Sequence, residues 1–197
     1  EPQRVRLLQA QSGGEPVSII TADEAGNPAR TRPSNSGTIT WHFRASNVRD
    51  VAFACAPNFR WDATAWNGIL VQTFYRPQAA RWEEAIRIAR HTIQFFSEQW
   101  ATYPWPQFST VEGPIQGMEY PMITFVPNDT SRTGLHWVLM HELGHEWFPM
   151  MVGNDERRYP WMDEGFNTFI DLYAAADYFR GTPYADSVMN GPLTAYP

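Results

Sequence analysis

Residues 140–147 read MHELGHEW, with His141 and His145 four apart and Glu142 directly after the first histidine. On a helix, positions i and i+4 lie on one face, one turn apart. Both imidazoles can then aim at one point. Glu142, about 100° round the helix from His141, can flank that point without occupying it. This is a donor arrangement for zinc, which in catalytic sites takes three protein ligands and leaves a fourth position open. The third ligand must come from elsewhere. Glu164, in WMDEGFNTF (161–169), is the candidate, with eighteen residues between it and His145. That gap accommodates a helix end, a loop and an antiparallel return. Glu164, Thr168 and Asp171 fall at i, i+4 and i+7 and share one helix face. Asp171 is read as the acceptor for a ligand histidine N–H, the kind of support a metal site requires. A lone H-E-x-x-H is also compatible with two core histidines, but the downstream carboxylate favours zinc, one ion per chain. His42, His91 and His136 have no such company and are read as surface or structural histidines.

These side chains need elements to hold them. The spacing of Trp82, Ile86, Ala89, Ile93 and Phe96 predicts a helix over 79–100. A second helix is expected over 135–148, carrying both histidines, and a third over 163–180, carrying Glu164 and Asp171. Between the first two, GPIQGMEYPMITFVP (113–127) reads as a loop and strand bracketed by prolines. Residues 1–76 read as β: short apolar runs at 4–11, 16–23, 51–56 and 68–76, and an alternating TITWHFRA at 38–45. Their spacing suits an antiparallel sheet. The fold class is therefore α+β, with a division expected near residue 76 into segments 1–76 and 77–197.

Composition narrows the functional classes. Of 197 residues, 43% are hydrophobic and 15% aromatic, enough for a sizeable core and a lined cleft. The net charge of −6 and the lack of any basic block argue against a nucleic-acid partner. No apolar run is long enough to form a transmembrane segment. Cys55 is the single cysteine, so no intrachain disulfide forms and the compartment stays open. Oligomeric state is equally open.

The constellation His141-Glu142-Leu-Gly-His145 followed by Glu164 resembles the gluzincin metallopeptidases. More closely, it resembles the zinc aminopeptidase family that includes aminopeptidase N and leukotriene hydrolase. That family carries a second signature, commonly Gly-x-Met-Glu-Asn, upstream of the zinc helix. Here QGMEY (116–120) stands at the matching place, with Gln116 and Tyr120 in place of the outer glycine and asparagine. SNVRDVAFACAPNFRWDAT (46–64) is similar to the last strands of the family's N-terminal β domain. HEWFPMMVGNDERRYPWMDEGFNTF (145–169) is similar to a bacterial branch. The resemblance covers most of residues 38–180. It implies a thermolysin-like catalytic domain with the zinc site on two helices, following the end of a β domain.

The resemblance further implies that Glu119 binds the α-ammonium of a peptide substrate, with Gln116, Gly117 and Met118 lining the cleft through their backbone. The chemistry suits that role, because a buried carboxylate holds an ammonium through charge-assisted hydrogen bonds. Glu142 would be the general base. The family's oxyanion-stabilising tyrosine would lie beyond Pro197, so the resemblance implies a piece of a longer enzyme. Tyr173, Tyr178 and Tyr184 are assigned to packing. Two alternatives stand beside the zinc aminopeptidase: a zinc endopeptidase in which Glu119 is incidental, and a peptide-binding or scaffold protein without turnover.

Overall fold

The computed structural model describes residues 2–31, 37–128 and 131–195, with side chains described as far as Asn190. In chain order the elements are α1 (Pro2–Gln11), β1 (Val17–Ile20), α2 (Pro28–Thr31), β2 (Arg60–Trp66), β3 (Ile69–Tyr75), α3 (Ala85–Gln99), β4 (Gln107–Glu112), β5 (Met118–Tyr120), β6 (Ile123–Val126), α4 (Arg132–Gly144), α5 (Phe166–Tyr178) and α6 (Pro183–Ala195). The fold is α+β. One six-stranded sheet runs in the order β1-β2-β3-β4-β6-β5. β1, β2 and β3 pair antiparallel, β4 pairs in parallel with both β3 and β6, and β5 returns antiparallel on β6. The ladder therefore continues across residue 76. No helix among the described residues is long and apolar enough to cross a membrane.

Successive side chains of β3 point to opposite faces, as the pleat requires. Ile69, Val71 and Tyr75 join the main core, while Leu70 joins a small cluster with Ala10, Ile19 and Ala63 under α1. The main core is built on α3. Its Ile86, Ala89, Ile93 and Phe96 are fully or almost fully buried against Leu139, Leu143 and Trp147. This helical stripe holds α4 in place, and α4 carries the histidines. Tyr178 packs edge-on to His91, and Tyr184 packs on Phe179.

Three stretches differ from the reading of the sequence. Residues 4–11 belong to a helix, not a strand. A short apolar run does not separate the two, and Gly13 and Gly14, at φ +81° and +104°, provide the left-handed stop after α1. TITWHFRA (38–45) alternates as a strand should, yet it finds no ladder partner among the described residues, and Ile39, Trp41 and Phe43 are exposed. Residues 51–56 likewise form no strand.

Candidate metal centre

Helix α4 starts at Ser131, whose hydroxyl accepts from the Gly134 N–H at 3.0 Å and caps the first turn. Leu135, Leu139, Met140 and Leu143 face inward. His141 and His145 are brought together one turn apart, with ring centroids 4.7 Å from each other. The regular helix ends at Gly144. A wide turn bonded i→i+5 follows over Glu146–Met151, broken at Phe148, and a second spans Trp161–Gly165 ahead of α5. Wide turns of this kind are frequent at functional sites. The second one carries Glu164.

Gly144 explains how α4 and α5 come so close. A Cβ there would stand 2.2 Å from Asn167 Oδ1 and 3.1 Å from Asp171 Oδ1. Across this contact Asn167 Nδ2 donates to the His141 carbonyl at 2.7 Å. Asp171, fully buried, places Oδ2 2.8 Å from His141 Nδ1. His145 Nδ1 lies 2.7 Å from the Phe148 carbonyl oxygen and 2.8 Å from Asp163 Oδ1. A carbonyl can only accept, as can an ionised carboxylate. Each ring therefore carries a proton on Nδ1, which leaves Nε2 as the nitrogen that can offer a lone pair to a metal ion once it gives up its own proton.

Both Nε2 atoms face Glu164. Its Oε2 is 3.0 Å from His141 Nε2 and 3.6 Å from His145 Nε2. Donors about 2.0–2.2 Å from a tetrahedral zinc stand roughly 3.4 Å apart. The three side chains thus fit a zinc-sized ion through two nitrogens and one oxygen, and their donor atoms lie within 4.8 Å of one another. His145, and with it His141, holds the Glu164 carboxyl below its ordinary range. Burial pushes the Asp171 carboxyl up, opposed by its bond to His141.

A second group overlaps the first: Glu119, Glu142 and His145 also place polar atoms within 4.8 Å of one another. Glu142 is 7% exposed, and burial lifts its carboxyl to about 7. Burial raises Glu119 as well. Glu119 stands on β5, opposite Thr124 of β6, and β5 is the last strand of the sheet. Gly117 precedes that strand and packs on Glu142. A Cβ on it would lie 2.2 Å from Glu142 Oε1. Glycine here gives room for a close approach, and what approaches is the side chain of Glu142. Met118 is half-buried in β5. Gln116 is exposed and joins neither cluster, and Thr168 is exposed on α5.

Four residues at the centre escaped the sequence reading. Asp163 and Asn167 touch the two histidines. Glu146, fully buried, accepts from the Met122 N–H, and Tyr103 Oη lies 3.3 Å from its Oε2. Burial pushes Glu146 up to about 8. Asp163 and Glu146 each adjoin a ligand candidate, the only sequence signal they give.

No protein-family profile matches the chain. Over 136 residues, 60% of the chain, it is 26% identical to human aminopeptidase N. Over 88 residues, 42% of the chain, it is 30% identical to leucine aminopeptidase 2 of Aspergillus clavatus. The chain spans 14% of the length of each of these relatives. The partial likeness supports a peptidase at that coarse level.

Proposed function

We propose that the chain carries the reaction centre of a zinc-dependent aminopeptidase, which removes N-terminal residues from peptides. The observation that supports this most is the convergence of Glu119, Glu142 and His145 within 4.8 Å, beside the group formed by His141, His145 and Glu164. In this reading the two Nε2 atoms and Glu164 Oε2 hold the zinc. When bound there, zinc supplies Lewis acidity toward a carbonyl oxygen and acidifies water. Asp171 and Asn167 orient His141, while Asp163 and the Phe148 carbonyl orient His145.

Glu142 takes a proton from the attacking water and delivers it to the leaving amine. A carboxyl lifted to about 7 by burial can both accept and donate near neutral pH. Glu119 receives the α-ammonium of the substrate. A peptide that places an uncharged amide there leaves a buried carboxylate unpaired, which is costly. The outer edge of β5, without a ladder partner among the described residues, offers backbone groups along which an extended peptide can lie.

Metal analysis of the purified, dialysed chain tests the centre. About one zinc per chain is expected, lost in His145→Ala, because catalytic zinc sites use three protein ligands. Near-stoichiometric zinc retained by that variant overturns the assignment.

A further inference from the structure

Glu146 directly follows His145, yet its carboxylate turns away from the metal ligands into protein. It is fully buried. The Met122 N–H donates to both of its oxygens, at 2.9 and 3.1 Å. Tyr103 Oη lies 3.3 Å from Glu146 Oε2 and 3.0 Å from the carbonyl of Gln107, the first residue of β4. One carboxylate thus ties the end of the metal helix to a turn and to the neighbouring strand.

The turn is the one that matters for Glu119. Met122 closes it between β5 and β6, at φ +65°. A methionine rarely takes this left-handed conformation unless its surroundings hold it there. β5 itself has three residues and, among the described residues, one ladder partner, β6. So short an edge strand has little of its own to fix its position. The carboxylate under Met122 is the direct hydrogen-bonded link from the metal helix to this turn.

We propose that Glu146 is a positioning residue for recognition of the substrate N-terminus: through the Met122 turn it sets where Glu119 stands relative to the metal ligands. This rests on the aminopeptidase reading above. The consequence is selective. Displacing Glu119 by a fraction of an ångström weakens the grip on an ammonium and leaves the metal ligands where they are. A 1 Å misplacement remote from the chemistry can cost about 100-fold, so a loss of about tenfold is expected for a partial shift.

The test needs no turnover. Leucine hydroxamate presents a metal-chelating group and a free α-ammonium, and N-acetyl-leucine hydroxamate presents the chelating group alone. Calorimetric affinities of both probes for the zinc-loaded chain give a free-to-acetylated preference. Glu119→Ala should collapse that preference toward unity. Glu146→Ala should lower it about tenfold while zinc content is retained. Glu146→Gln keeps an acceptor for Met122 and should stay within about threefold of wild type, since one uncharged hydrogen bond is worth about 1 kcal/mol. A Glu146→Ala variant that weakens both probes equally, beside a Glu119→Ala variant that loses the preference, overturns the proposal and leaves the aminopeptidase reading intact. A Glu119→Ala variant that keeps the preference, or a chain that takes up no zinc, removes that reading and this one with it. Should Glu146→Ala fail to fold, Met122→Gly takes its place. That change keeps the backbone N–H, so it is paired with Glu146→Asp, whose shorter side chain draws the carboxyl away from the Met122 N–H and must lower the preference by the same criterion.

Discussion

Helix α4 and its C-cap residue carry three histidines, and the two ends treat them in opposite ways. His136 near the start and His145 at the end are each 1% exposed. His136 lies against the rings of Tyr178 and Phe179, at 4.3 and 4.6 Å between centroids, and neither of its nitrogens has a hydrogen-bond partner among the described residues. Burial, with a smaller contribution from nearby His91, pushes it down to about 3. At the other end burial also acts against the charged ring, but the nearby carboxylates of Asp163 and Glu164 outweigh it, and His145 is held up at about 11. Residue type, helix and burial are the same. The carboxylates that the wide turn and α5 bring to one end make the difference. A ring nitrogen that holds its proton beside carboxylates is a place where a metal ion competes with the proton for the same atom.

The sharpest way to test this contrast is to remove a carboxylate from the rich end without disturbing the metal. Glu142→Gln should keep zinc and lose turnover, because an amide cannot take the proton from water. General acid–base catalysis is typically worth about 10²–10⁴-fold. A loss under about tenfold in peptide hydrolysis would show that another group is the base.

Glu119→Ala removes a second carboxylate and should discriminate between substrates. A charge-assisted contact is worth about 1.5–3 kcal/mol, or roughly ten- to 150-fold at about 1.4 kcal/mol per decade. Peptides with a free N-terminus should lose that factor, and N-acetylated peptides should not follow them. Parallel losses in kcat/KM would make Glu119 structural and favour an endopeptidase.

Asp171→Asn then asks whether the carboxylate behind His141 matters to the metal. Oriented partners of this kind are typically worth about 10–100-fold in metal affinity. Competition with a chromophoric chelator measures it. Wild-type affinity in Asp171→Asn would mean that the negative charge behind His141 does not matter to the metal.

Much of this was legible in the sequence, for identifiable reasons. A helix repeats every 3.6 residues, so His141 and His145 had to share a face wherever α4 was placed. Glu164 and Asp171 could be named because the return after His145 has a helical pattern. What that pattern could not show is the pair of wide turns, which shift the register. They put Asp163, adjacent to Glu164, on His145, and they leave Thr168 in solvent. The sheet was harder to read. β4, its internal parallel strand, buries Ser109, Thr110 and Glu112, so it lacks the apolar signature by which strands are recognised. In the 38–45 segment the alternation is real, but a strand also needs a partner, and periodicity cannot supply one. Glu146 was invisible for a related reason: its partners, Met122 and Tyr103, are far from it in sequence.

The carboxylate-poor end of α4 offers the smallest effect. His136 has a folded-state pKa of about 3, below the 6.5 of an ordinary histidine. Between those values the unfolded chain binds the proton and the folded chain does not. Stability from the neutral ring is therefore complete above about pH 6.5 and is lost as the pH falls toward 3, at up to about 1.4 kcal/mol per pH unit. The neighbouring His91, whose Nε2 lies 2.9 Å from Asp177 Oδ2, adds a nearby site for positive charge that opposes protonation of His136. Acid also protonates the carboxylates elsewhere, so the comparison must be with a variant. His136→Phe keeps an aromatic ring against Tyr178 and Phe179 and removes the titration. Urea midpoints taken at several values between pH 7.5 and 4.5 should fall less steeply for His136→Phe than for wild type. The difference between the two midpoints should shift steadily in favour of His136→Phe as the pH drops. Curves that run parallel throughout would mean that His136 takes up its proton in the folded state as readily as in the unfolded chain, and the contrast between the two ends of α4 would lose its physical basis.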